Sequence, residues 1–308
     1  MATLTDMINE VSMNLSGYTL QQDRATHITA DVAATASTIA APITLSLAST
    51  DSVGKGVIEI DEELFWVDNY DRVGNTATIA PYGRAYIGTT LAAHTAGTKV
   101  TIAPTFPRFT IKRAINDTIS AIGSSIFAAN TTTITSNSAV SAFRLPATGT
   151  TLNIRNILAI AYQALGSSKE WIPIRSYRFD GNANSTAFTS GQTVSIYDYI
   201  PSGRSVQVVY ATDPTPFTTN AQEFATQTGL PESCKDLIIL GATYRLLSNL
   251  DPARASMVSP QADETDSKRP YGSSQSLTKQ VYALFNQRLN EEVKSQQEKY
   301  PIRVHYSL

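Results

Sequence analysis

"LNIRNILAIAYQALGSSKEWIPI", residues 152–174, decides how much of this chain is helix. Its apolar positions fit an amphipathic helix and a buried strand alike, because a short apolar run does not reveal its period. The polar "GSSKE" at 166–170 interrupts it, and the "WIPI" piece that follows carries Pro173, which cannot donate to a central ladder. The stretch therefore reads as a hairpin ending in an edge strand. With it, 130–220 reads as β throughout: "SVQVVYA" (205–211) is the clearest strand, and "SGQT" (190–193) and "PSGRS" (201–205) are turns. Residues 37–104 have the same Thr, Val and Ile character, with turns at "VGKG" (53–56) and "RVGN" (72–75).

Outside these stretches the period changes to that of a helix. Leu4, Met7, Ile8, Val11 and Leu15 form one stripe, with Thr3 and Asp6 spaced as a capping box and Gly17 as a stop. A second stripe runs through Ile111, Ile115, Ile119, Ile122 and Ile126, with Pro107 at its first turn. A third helix starts near Pro231 and runs through "CKDLIILGATYRLLSNL" to Asp251-Pro252, apolar nearly all round and so the most buried. Leu277, Val281, Leu284, Phe285, Leu289 and Val293 make a fourth, ended by Pro301. One-sided helices need partners, so the expected fold is α+β: a helical bundle from discontinuous segments with two inserted β modules, each a small barrel or sandwich. The expected divisions are a bundle helix at 1–27, a β module at 28–104, a bundle helix at 105–128, a second β module at 129–220, bundle helices at 221–298 with a polar loop at 255–276, and an extended tail at 299–308.

Only 16% of the 308 residues are charged, against roughly a quarter in an ordinary soluble protein, and the net charge is -2. That balance offers no basic footprint for gripping nucleic acid. Cys234 is the single cysteine, so an intrachain disulfide and a cysteine-based zinc site are excluded, and its apolar setting predicts a buried, inert thiol. The N-terminus lacks the charged and apolar regions of a signal peptide, and no run reaches the ~18 apolar residues of a membrane span, so neither is expected.

"IEIDEELFWVDNYD" gathers Glu59, Asp61, Glu62, Glu63, Asp68 and Asp71. The spacing of an EF-hand is absent, and alternation places Ile58 and Ile60 on one face with Glu59 and Asp61 on the other, so the carboxylates read as a solvated strand face. "PYGRAYIGTTLAAHTAGTKV" (81–100) lacks the lysine of a P-loop and the G-x-G-x-x-G spacing, so its glycines read as turns. His94 has no neighbouring ligand or base in sequence, which predicts a hydrogen-bonded loop histidine. No G-x-S-x-G elbow is present, and His27 and His305 lie in unrelated contexts. No enzyme activity, cofactor or metal is expected.

Within that segment Arg84, Gly88, Thr89, His94, Gly97 and Thr98 are spaced as in a pattern that recurs in virion proteins of tailed bacteriophages, with Ala85 where glycine is commoner. Together with the order of helices and β modules, the chain resembles a head-to-tail connector, the adaptor of the phage neck. The resemblance implies a structural virion protein: a homo-oligomeric ring, commonly twelve-fold, below the portal protein and above a downstream tail or neck protein, with genomic DNA passing through its channel without tight binding. It implies synthesis in the host cytoplasm and no membrane. The alternative is a tail-tip or fibre-associated binding protein, whose mark would be clustered exposed aromatics; Tyr18, Tyr82, Tyr86 and Tyr197 are scattered in sequence. A hydrolase would need converging carboxylates, and no pair nominates itself.

After Pro301, Ile302, Val304, Tyr306 and Leu308 alternate with Arg303, His305 and Ser307, the pattern of a strand with one apolar face. A terminal strand needs a partner for its backbone, so these residues are expected to bind the portal or a neighbouring subunit.

Overall fold

Val, Ile and Thr dominate the segments between the helices because branched side chains pack well on a pleated surface, and these segments build most of the molecule. The computed structural model describes residues 2–19, 23–35, 37–137, 139–146, 153–165, 170–248 and 273–301. Among them thirteen strands form three antiparallel sheets. This overturns the expected helical bundle with two inserted β modules: the protein is mainly β. The physical reason is where the apolar side chains gather. Two large clusters lie inside β structure, and strands that sequence left unassigned complete both.

The chain divides into two compact units. One comprises Thr5–Ile115 and Gly241–Lys279; the other comprises Met1–Leu4, Asn116–Leu240 and Gln280–Leu308. In the first, strands β1 (Arg24–His27), β2 (Ile43–Ser46), β3 (Gly56–Ile60), β4 (Glu63–Asp71), β5 (Thr76–Ile79) and β6 (Lys99–Ile102) pair in the order β1-β6-β3-β4-β5-β2. The two ends of that order meet. Ile28, directly after β1, bridges Leu47, directly after β2, and the Ala48 N–H donates to the His27 carbonyl at 3.0 Å. The sheet is a closed barrel, which removes its edges. Ile28, Leu45, Ile58, Phe65, Val67, Ile79 and Val100 fill the interior.

In the second unit, β7 (Ala128–Thr135), β9 (Ile154–Gln163), β10 (Trp171–Pro173) and β13 (Ser205–Thr212) form a sheet in the order β10-β9-β13-β7. Strands β8 (Ala142–Arg144), β11 (Tyr177–Asp180) and β12 (Thr193–Ile196) form a smaller one. Ile134, Ile157, Ile160, Val206 and Val208 from the larger sheet share one cluster with Val194 and Ile196 from the smaller, which makes the pair a sandwich. The ambiguous 152–174 stretch is the β9–β10 hairpin, paired Tyr162 to Ile172, with β10 at the sheet edge.

Helix α1 (Leu4–Thr19) runs through Gly17, past the expected stop. Its stripe Leu4, Met7, Ile8, Val11 and Leu15 is fully buried. Helix α2 is one turn at Ser37–Ala40. Helix α3 (Arg108–Ile122) buries Ile111, Ile115, Ile119 and Ile122. Helix α4 (Phe224–Thr228) ends on Gly229, and α5 (Lys235–Leu247) buries Leu237, Ile238, Ile239, Ala242, Leu246 and Leu247. Helix α6 spans Ser273–Lys299; it buries Val281 and Phe285 but leaves Leu284 exposed. Asp251-Pro252, the greater part of the 255–276 loop and residues 302–308 lie outside the described residues.

Candidate functional site

The β3–β4 hairpin turns over Asp61 and Glu62, because Ile60 pairs directly with Glu63. Asp61 occupies the left-handed region at φ 55°, which aspartate tolerates better than most residues. The expected solvated carboxylate face does not exist here. Glu59 is 3% exposed and Glu63 1%, so both need partners to offset the cost of burying charge. Strict alternation fails because β3 is covered on both faces, with Ile58, Glu59 and Ile60 all buried.

Glu63 finds its partners in the 81–100 segment. Its Oε1 accepts from Arg84 Nε at 3.0 Å and from the Ala85 N–H at 3.1 Å. Its Oε2 accepts from Arg84 Nη2 at 2.9 Å, the Ala92 N–H at 2.9 Å and His94 Nε2 at 3.0 Å. The other nitrogen of His94, Nδ1, meets Asp61 Oδ2 at 2.8 Å. A neutral imidazole has one N–H, so a ring that faces a carboxylate from each nitrogen is satisfied fully only as the imidazolium. Burial opposes that charge, yet the hydrogen bonds from Glu63 and Asp61 outweigh it and raise the His94 pKa. Burial likewise works to raise Glu63, and is outweighed by His94, Arg84 and the two backbone N–H groups, which bring it down to about 2. Two cations and two carboxylates thus close a neutral cluster.

The remaining motif residues hold this cluster in place. Arg84 is 2% exposed; its guanidinium lies 5.1 Å over the Phe65 ring and also donates to the Ala33 and Ala92 carbonyls. Thr89 Oγ1 accepts the Leu64 N–H and donates to the Tyr86 carbonyl, each at 3.1 Å. Gly88 and Gly97 stand at φ 77° and 91°, where a side chain is strained. The Gly97 N–H donates to the Ile28 carbonyl at 2.7 Å, and Thr98 Oγ1 to the Thr95 carbonyl at 2.8 Å. His94 pairs its backbone with Val32. Every motif residue therefore ties one loop to the barrel wall. Neither a protein-family model nor a curated protein matches the chain.

The lock has little spare chemistry. Both oxygens of Glu63 and both ring nitrogens of His94 are engaged, and among the described residues no group of three His, Cys, Asp or Glu side chains is arranged to hold a metal ion. Glu59 acts separately: its Oε1 accepts the Arg108 N–H at 2.6 Å at the start of α3. Burial pushes its pKa up to about 7 against the lowering pull of that N–H and of the Arg108 charge. Glu62 pairs with Lys112 at 3.1 Å. Cys234 is buried, and burial together with the nearby Glu292 carboxylate pushes its thiol up to about 12, leaving little thiolate at neutral pH. Arg84, Gly88, Thr89, His94 and Gly97 come together; Ile302, Arg303, Val304, His305, Tyr306 and Leu308 lie outside the described residues. Sequence reasoning missed Glu63 and Asp61, and their only signal was a carboxylate pair at a tight turn.

Proposed function

We propose that this chain is a structural subunit of a tailed-bacteriophage neck, a head-to-tail adaptor that forms a ring below the portal and lines part of the DNA channel. The observation that carries this reading is that the motif shared with phage virion proteins forms one continuous lock in one barrel, from Arg84 through Thr89 and His94 to Gly97. A lock of that kind gives a rigid module without chemistry, which suits a part that carries load. With 24 basic against 26 acidic side chains, the surface has no excess charge to hold passing DNA. Residues 302–308 serve as the portal- or neighbour-binding segment in this reading. Electron microscopy of the purified protein, alone and mixed with portal-bearing capsids, tests it. Rings at the portal vertex are expected; a chain that stays dispersed and never decorates that vertex overturns the reading.

The tail-tip or fibre alternative gains from one observation. Tyr197 is 63% and Tyr199 85% exposed, on either side of Asp198 at the end of β12. Exposed aromatics so close in the chain suit stacking on a sugar or on a second protein. Binding to a glycan array that is lost in a Tyr197→Ala, Tyr199→Ala double variant would favour it.

A further inference from the structure

Strand β7 is the exposed edge of the larger sheet, and nothing in its sequence protects it. Edge strands are normally blunted by charge, proline, bulges or brevity. The opposite edge of the same sheet follows that rule: β10 has three residues, one of them Pro173. Strand β7 is "AANTTTIT", eight residues without charge or proline, paired to β13 from Ala128–Thr212 to Thr135–Ser205 with no break in register.

The hydrogen-bond pattern shows which groups face outward. The Ser136 N–H donates to the Arg204 carbonyl at 2.7 Å, and antiparallel residues alternate between facing their partner and facing away. Even-numbered residues of β7 therefore face β13, and odd-numbered ones present N–H and C=O to the open side. Phe127 confirms the parity. Its N–H donates to Gln296 Oε1 at 3.2 Å and its carbonyl accepts from Gln296 Nε2 at 2.6 Å, so a side-chain amide of α6 stands where a neighbouring strand would. Among the described residues nothing pairs with the outward groups of Thr131, Thr133 and Thr135, and those three residues are exposed.

The same helix delivers an occupant. Four residues after Gln296, the Tyr300 ring packs 5.9 Å from the Phe127 ring, so the chain leaves α6 at the starting end of the open edge. Residues 302–308 follow, with Ile302, Val304, Tyr306 and Leu308 alternating against polar neighbours. Seven residues in extended form reach about 23 Å, and the edge from Ala129 to Thr135 is about 20 Å long. We propose that in the free chain residues 302–308 add to β7 as a parallel strand of their own sheet, covering Thr131, Thr133 and Thr135. The apolar set would extend the face on which Ala128 and Ile134 are buried. This goes beyond the neck reading and concerns the isolated chain: a partner that captures the tail would uncover a sheet edge in the same event.

The test is hydrogen exchange at single-residue resolution on the full chain and on a chain ending at Pro301. The Thr131, Thr133 and Thr135 amides are expected to exchange at least tenfold more slowly in the full chain, at a rate that does not change on tenfold dilution. The amides of Asn130, Thr132 and Ile134 should stay slow in both and report an intact sheet. Equal rates at the three threonines, fast or slow, overturn the proposal. Protection that disappears on dilution also overturns it, because the donor is then another copy. If the shortened chain does not fold, Thr133→Pro in the full chain supplies the answer: it removes one outward N–H, and trypsin should then cut at Arg303 at least several-fold faster, whereas unchanged cleavage overturns the pairing.

Discussion

Glu63 accepts five hydrogen bonds inside the barrel wall, so it is the residue whose loss the module should feel most. Glu63→Gln leaves Arg84 and His94 buried with half their compensation, and a loss of about 3–5 kcal/mol in urea unfolding is expected. His94→Gln keeps one donor and should cost less, about 1–3 kcal/mol. The pH dependence has a definite shape. Glu63 falls from an ordinary 4.5 to about 2 on folding, so its contribution is complete above 4.5 and disappears toward pH 2. His94 is raised above 6.5, so its contribution is complete below 6.5 and fades as pH rises through its folded value. Glu59 adds to that fading, because a carboxyl moved from 4.5 to about 7 binds its proton more tightly when folded and loses stability as pH climbs between those values. The protein should therefore unfold at higher urea at pH 6 than at pH 8. Glu59→Gln should shrink that difference, and a variant with the wild-type difference refutes the assignment. Ala85 offers the opposite case: at φ 47°, ψ 37° it sits where glycine is relaxed. The left-handed region costs an alanine about 1–2 kcal/mol while glycine loses up to about 1 kcal/mol more entropy on folding, so Ala85→Gly should stabilise by roughly 0.5–1 kcal/mol in the same assay.

The elements themselves were largely legible, since their signals are local. The stripe from Leu4 to Leu15, the isoleucine ladder of α3 and the β9–β10 hairpin all stand close to where periodicity and proline place them. What could not be read was which elements make the cores. Strand β1 is "RATH", without a single strongly apolar residue, yet it pairs with β6 and carries the chain to Ile28, where the barrel closes. No alternation marks Glu63 as buried, because the donors that satisfy it lie 21 to 31 residues away. A close approach of the same non-local kind fixes α4. Gly229 caps it at φ 71°, with its N–H donating to the Ala225 carbonyl at 3.0 Å, and a Cβ there would lie 2.7 Å from the Ala128 Cβ. Gly229→Ala meets both backbone strain and a clash at the start of β7, and should cost about 2–3 kcal/mol in thermal or urea unfolding. Adding Ala128→Gly removes the clash but not the strain, so partial recovery is expected; full recovery would assign the whole effect to contact, and none would assign it to the backbone.

At the scale of the molecule, two β cores replace the single helical core that one-sided stripes suggested, and this changes what can be cut away. Excising 37–100 takes five strands out of the barrel but leaves β1, whose only ladder partner is β6 at Lys99–Ile102. The separable piece instead begins before β1 and ends after β6. Residues 23–105 contain all six strands, the closing bridge between Ile28 and Leu47, the full set of interior side chains and the Arg84–Glu63–His94–Asp61 lock. A closed barrel leaves no unpaired edge on excision, and its buried cluster comes from within the segment. Two contacts are lost: Glu59 no longer caps α3 at Arg108, and Glu62 loses Lys112. The first loss leaves Glu59 freer to stay protonated or to meet water, so the fragment should retain its fold and be steeper than the full chain in its loss of stability above pH 6. Expressed alone, 23–105 is expected to unfold in one cooperative urea transition with near-ultraviolet dichroism from Trp66. A fragment with dispersed, non-cooperative unfolding at pH 6, where the lock is fully charged, would show that the barrel depends on the rest of the chain.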